Sequence, residues 1–242
     1  MDIFISSSST QSINLSEYAA SSLSITVQPG VHYSCIYNQI NTQVTDISFY
    51  VGKDATLQCA LLLTQGEHTT LNLAVFLDSP YAHATIRGVY ALNGSQKLNI
   101  TTSQHHRAPH TTSSLIIKGM LNERAYADYR GTILVDQVAR FTTAVQENKN
   151  MLLSRAARAH SVPSLEVLTN DVHCKHGSAV GYLDDQLLFY VQAHGLDEQI
   201  ARQLLLHGFF REIIDTLDAT VVSGIYEIIE EKVSMHKLED KK

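Results

Sequence analysis

The amino-acid sequence predicts a mainly β protein with a small helical region at its C-terminal end. Three observations carry this. Between Asp46 and Val135, short alternating apolar runs (TLQCALLL, TLNLAVFL, HATIRGVYAL, KLNITTSQHH, SSLIIKGML, RGTILV) follow one another at roughly 12 to 16 residue intervals, and they are rich in β-branched residues. Polar turns such as Gln65-Gly66-Glu67, Asn93-Gly94-Ser95 and Asn122-Glu123 punctuate them. After Gly181 the alternation gives way to helical spacing. Periodicity alone leaves a β-sandwich and a β-solenoid both open, because hairpins and stacked rungs accept the same punctuation.

In chain order, Ile3 to Tyr50 reads as short strands broken at Pro29-Gly30, a turn dipeptide. In the run from Asp46 onward, Cys59 is in phase with Leu57, Leu61 and Leu63 and is assigned to the core with them; Cys35 reads as a generic thiol. The stretch ARFTTAVQENKNMLL continues the β text, yet its Ala, Gln, Glu, Lys and Leu content suits a helix equally. Asp184 or Asp185 caps a helix from Gln186 to Ala193, with Gly195 as its stop. Asp197 caps a second helix, in which Ile200, Leu204, Phe209, Ile213 and Leu217 form an apolar stripe predicted to face the core. Arg202, Gln203, Arg211 and Glu212 flank that stripe, where a partner would be read. Gly208 costs a helix about 1 kcal/mol relative to alanine, and close approach of another backbone would explain it. A third helix is predicted from Ala219 to about Val233, followed by a charged, frayed MHKLEDKK. The division is thus a β core over 1–181 and a helical region over 182–242.

Composition narrows the function. With 242 residues and 44% hydrophobic content the chain can bury a real core, and its net charge of −6 argues against nucleic-acid or anionic-membrane partners. Three scattered cysteines, Cys35, Cys59 and Cys174, build no disulfide framework and no CxxC pair, which favours a reducing, cytoplasmic setting. The sequence shows neither a signal-peptide pattern nor a run long enough to span a membrane. It has no GxxxxGK[ST] loop, so ATP hydrolysis would belong to a partner.

Chemistry concentrates in 163–195, PSLEVLTNDVHCKHGSAVGYLDDQLLFYVQAHG. On a strand, Cys174 and His176 share one face while His173 and Lys175 take the other. A thiolate is a soft ligand and neutral imidazole a borderline one, a pairing that suits iron and cluster intermediates. Two ligands cannot hold a cluster, so a second subunit would complete the set. Cys174 also shares parity with Val172, the pattern of a buried small side chain. His105, His106 and His110 resemble a metal cluster by spacing, but adjacent strand residues face opposite ways and Pro109 breaks the run, so a structural role is expected.

Five blocks, HHRAPHTTSSLIIKG, YRGTILV, NKNMLLSRAARAHSVPSLEV, NDVHCKHGSAVGYLDDQLLFYVQAHGL and IARQLLLHGFF, stand in order between residues 105 and 210. Together they resemble the SufB/SufD family of iron–sulfur cluster assembly scaffolds, and SufD more than SufB. The resemblance implies a right-handed parallel β-helix with flanking helices, non-enzymatic, handling a transient iron–sulfur cluster or iron and leaving flavin use open. It implies a SufC-type ABC ATPase as partner, together with a SufB-type subunit or a second copy of the chain. It places His176, with Cys174 beside it, near the cluster-forming interface. The ATPase surface would lie over 196–217, including Leu196, Arg202, Leu205, Gly208, Phe209 and Arg211. Asn170 departs from the family's usual aspartate, and the chain reads as a short form at its N-terminal side. A self-sufficient homodimeric scaffold and a purely structural β-solenoid are the alternatives. A polysaccharide-active β-helix would carry repeated outward acidic pairs, which the β region lacks.

Overall fold

The computed structural model describes residues 1–14, 21–38, 45–216 and Val222, Ile225 and Tyr226. Among the described residues, fourteen strands precede two helices that can be traced end to end. The strands are β1 (Asp2–Ile5), β2 (Ser9–Asn14), β3 (Ser22–Val27), β4 (His32–Asn38), β5 (Asp46–Val51), β6 (Thr56–Leu63) and β7 (His68–Leu77), then β8 (His83–Leu92), β9 (Lys97–His106), β10 (Thr112–Leu121), β11 (Tyr126–Val135), β12 (Thr142–Leu152), β13 (Arg158–Val167) and β14 (Val172–Tyr182). The helices are α1 (Asp185–Gln192) and α2 (Glu198–Ile214). Odd-numbered strands form one seven-stranded sheet and even-numbered strands the other, with every pairing parallel. Each coil therefore spends one strand in each sheet, which makes the molecule a β-helix rather than a sandwich of hairpins. The stretch that suited helix and strand equally is β12.

Alternation explains the interior. Leu57, Cys59, Leu61 and Leu63 face inward and are buried, as are Leu71, Leu73, Val75 and Leu77 on the opposite sheet. Cys35 is buried too, in register with Cys59. Burial of each large apolar side chain contributes about 1.5–3 kcal/mol. Toward the C-terminal end the interior becomes polar: Thr102, Gln104, His106, Ser113, Gln146, Asn148 and Asn150 are all buried. Two sterically forced glycines serve this interior. A Cβ at Gly119 would overlap the buried ring of Tyr90, and one at Gly131 would overlap the Gln146 amide and the Tyr129 hydroxyl.

The corners repeat as the strands do. Asp54, Tyr81, His110 and Phe141, each just before an even-numbered strand, adopt φ between 54° and 63°. Their left-handed backbone is partly offset by ring stacking, Tyr81 on His110 at 5.0 Å and His110 on Phe141 at 4.9 Å. At the other corner the predicted polar turns supply Gly66, Gly94 and Glu123, all at positive φ.

Both helices are capped as the sequence predicts. Asp184 Oδ1 accepts from Gln186 N and Leu187 N, Asp197 Oδ1 accepts from Ile200 N at 2.9 Å, and Gly195 between them has φ +90°. Replacing Asp197 by alanine is expected to cost about 1 kcal/mol, read as a lowered urea midpoint at unchanged slope. The buried face of α2 differs from the predicted stripe. Ala201, Leu206, Phe210, Ile213 and Ile214 are buried, while Ile200 and Leu204 are 47% and 52% exposed. The run Leu204-Leu205-Leu206 admits two phases: the predicted stripe holds at Phe209 and Ile213, which pack inward, and fails at Ile200 and Leu204, where Ala201 and Leu206 take the buried places. Among the described residues, a Cβ at Gly208 would meet nothing within 4 Å, so no backbone approach accounts for this glycine. Of the predicted third helix, Val222, Ile225 and Tyr226 are helical; the rest of it, Leu217 and MHKLEDKK lie outside the described residues.

Helix α2 packs on the outer face of the even-numbered sheet, against Ala60, Leu62, Val89, Ala91, Ile116 and Met120. An ion pair fixes it there. Lys118 Nζ, with its side chain 7% exposed, donates to Phe209 O at 2.7 Å and meets Glu212 Oε2 at 2.8 Å. Hydrogen bonding from Lys118 is the main cause holding the Glu212 carboxyl below its ordinary pKa. That stabilisation is present above the carboxyl's unfolded pKa and is lost as pH falls through the lowered one.

Candidate functional site

Among the described residues nothing covers the last coil of the β-helix. β13 and β14 are the edge strands of their sheets at this end, each paired on one side. Their inner faces, which in earlier coils are buried, are half-buried or exposed: Ala159, Ser161, Pro163 and Leu165 on β13, and Val172, Cys174, His176 and Ser178 on β14. Proline inside a strand belongs at an edge, and Pro163 was the sequence signal for this.

Cys174 and His176 lie on one face, as their spacing predicts, in register with Ala144 and Gln146 of the coil beneath. Cys174 is half-buried and packs with Val172 toward Ile133, Val135, Ala139 and Ala144. Burial pushes its thiol pKa up, partly countered by a hydrogen bond from the Ala144 backbone. At neutral pH it is a thiol, so metal binding there would release a proton. His176 is exposed at the mouth. Among the described residues no three His, Cys, Asp or Glu side chains converge on one point.

The other histidines are engaged separately. His106 is fully buried, its Nδ1 2.8 Å from Thr111 Oγ1 and its Nε2 2.8 Å from Ser113 Oγ. His105 stacks on Phe76 outside the solenoid, and His110 belongs to the corner stack.

Of the residues predicted to meet an ATPase, Leu196, Leu205 and Phe209 pack inward in part, against the helix and solenoid clusters. Arg202 pairs with Glu198 and Arg211 with Asp215 within the helix, and Gly208 and Arg211 are exposed. The helices leave a different apolar set open: Leu187, Phe189 and Tyr190 on α1, with Ile200 and Leu204 on α2. The run LLFY carried the signal for the α1 part. Among the described residues no helix is long and apolar enough to cross a membrane.

These features define a class: a parallel β-helix with C-terminal helices that offers a thiol and an imidazole at an open end instead of enclosing them in a cleft. The chain belongs to the SufB/SufD family of iron–sulfur cluster assembly proteins, since the family model described as SUF system FeS cluster assembly, SufBD core domain, matches residues 7–209. A SufBD family protein of Mycobacterium leprae is 33% identical over 175 residues, covering 69% of this chain and 45% of that protein. The SufD of Escherichia coli is 26% identical, covering 69% of this chain and 40% of its own length, and the SufD of Bacillus subtilis 25%, covering 84% and 48%. The chain spans about half the length of the curated relatives it matches.

Proposed function

We propose that this chain is a cytoplasmic scaffold subunit of the Suf machinery, with its open terminal coil as the cluster-assembly interface. The observation that carries the reading is the union of two features at one place. The edge strands β13 and β14 present unpaired backbone groups, and the inner face they expose holds Cys174 and His176. Unpaired edges are templates for strand addition. A second SufB/SufD-type subunit, or a second copy of this chain, would seat there, close the mouth and bring the ligands that two side chains cannot supply. Iron and sulfide are the cargo, and no catalytic residue is assigned.

A SufC-type ATPase would dock on the C-terminal helices. The exposed apolar side chains of α1 and α2 support this, and the Lys118–Glu212 contact gives a moving α2 a direct hold on the solenoid. Nucleotide-driven movement would thus reach β10 and its neighbours through one buried cation.

The test is co-purification with a SufC-type ATPase, then anaerobic iron and sulfide reconstitution of wild type and His176→Ala. The expected result is a stable complex that develops cluster absorbance with His176 intact and loses most of it in the variant. No ATPase binding and no metal in either protein would overturn the reading and leave a structural solenoid. Sedimentation of the chain alone separates a self-paired scaffold from one that awaits a different subunit.

A further inference from the structure

Gln146 is an anomaly in the solenoid. Its side chain is completely buried, yet neither its amide nitrogen nor its amide oxygen has a hydrogen-bond partner. Ser161 Oγ on the adjoining outer coil and Gln104 Oε1 on the adjoining inner coil are likewise without a partner. Gln104 Nε2 lies 3.3 Å from the carbonyl of Val145, the residue before Gln146. The Gln146 amide and the Tyr129 hydroxyl both crowd the space that glycine leaves at position 131, and Ser161 is the register partner of Tyr129. Along its own sheet, Gln146 is the register partner of His176. The unmet amide of Gln146 therefore lies one coil inside the mouth, beneath the imidazole, with Ser161 on the mouth coil above it and Gln104 one coil deeper.

An apolar side chain at 146 would carry no such penalty, and methionine would occupy nearly the same volume. Buried polar atoms without protein partners are ordinarily met by ordered water, which makes about three hydrogen bonds. The Gln146 amide nitrogen donates twice, its oxygen accepts, and the Ser161 hydroxyl does either. That set suits one water entering through the open end.

We infer that Gln146, with Ser161, binds a water on the inner side of His176, and that through this water the carboxamide is a positioning residue for the imidazole. The role toward His176 rests on the scaffold reading above; the internal water does not. A ligand oriented from behind holds its metal more tightly, and loss of such a partner typically lowers affinity by about 10- to 100-fold.

Two measurements test this. In the metal-free full chain, the Gln146 side-chain amide is expected to show cross-relaxation with a bound water by NMR; its absence overturns the inference without any variant being made. In the assembled scaffold, Gln146→Met is expected to keep or raise the thermal midpoint while weakening iron binding by about 10-fold or more. Gln146→Glu, whose buried carboxyl stays neutral and still donates and accepts, is expected to restore most of the affinity. Wild-type iron affinity in Gln146→Met alongside its loss in His176→Ala overturns the positioning role and leaves the scaffold reading standing. A strongly lowered midpoint in Gln146→Met assigns a packing role and also overturns it. If His176→Ala itself binds iron normally, the scaffold reading fails, and the water measurement alone decides the internal site.

Discussion

Gly119→Ala is expected to cost the fold about 3 kcal/mol or more, at the upper end of overpacking effects. The added methyl would fall within the ring of Tyr90, which is fully buried and hydrogen-bonded through its hydroxyl to Asn150 Oδ1. The ring has no free direction. Moving it would break that bond and press on the coils to either side, since interiors of this density do not absorb volume. Gly208→Ala is the matched control, because its added methyl meets nothing among the described residues and gains helix propensity. Denaturant midpoints of the two variants should move in opposite directions; equal behaviour would refute the packing described for Tyr90.

The second large effect is with pH. Burial is the main cause that lowers the His106 pKa from 6.5 to about 4, with a smaller contribution from His105. In this window the unfolded chain binds a proton that the native interior excludes, so stability falls as pH drops from about 6.5 to about 4. The full difference corresponds to about 3 kcal/mol. Because His83 and His105 are also lowered by burial, the measurement is a comparison. His106→Gln, which keeps a hydrogen-bonding side chain among Thr111 and Ser113, should show a flatter pH dependence of its unfolding midpoint than wild type. Parallel curves would place His106 in contact with solvent.

Much of this architecture can be read from residue order, and where it cannot, the cause is physical. The caps at Asp184 and Asp197 and the turns at Gly30, Gly66 and Gly94 are local, so local chemistry reveals them. The choice of a solenoid over a sandwich is not, because the coil lengthens from 22 residues at Asp2↔Ser24 to 32 at Tyr126↔Arg158. No fixed period survives, and only the family resemblance decided the matter. The run Cys59-Ala60-Leu61-Leu62-Leu63 is continuously apolar because α2 covers the outer face that alternation would leave polar. The β12 stretch was ambiguous for the opposite reason: its inward residues Gln146, Asn148 and Asn150 are polar, so parity carries no hydrophobic signal. For the site, strand parity alone put Cys174 and His176 on one face. The residue beneath them, Gln146, needed the register of β12 on β14, which pairs positions 30 apart in the chain. The outward face of α2 was missed because two leucine stripes overlap.

The change of interior from apolar to polar along the coils has a mechanical meaning. In a stack where each coil touches only its neighbours, stability is nearly a sum of adjacent interfaces. The interfaces around Phe49, Leu57 and Leu73 are oil-like, whereas those around Gln104, His106 and Asn148 rest mainly on hydrogen bonds, each worth only about 1 kcal/mol net. The stack therefore has a firmly packed stretch and a more yielding one, and the yielding stretch is the one next to the open terminal coil.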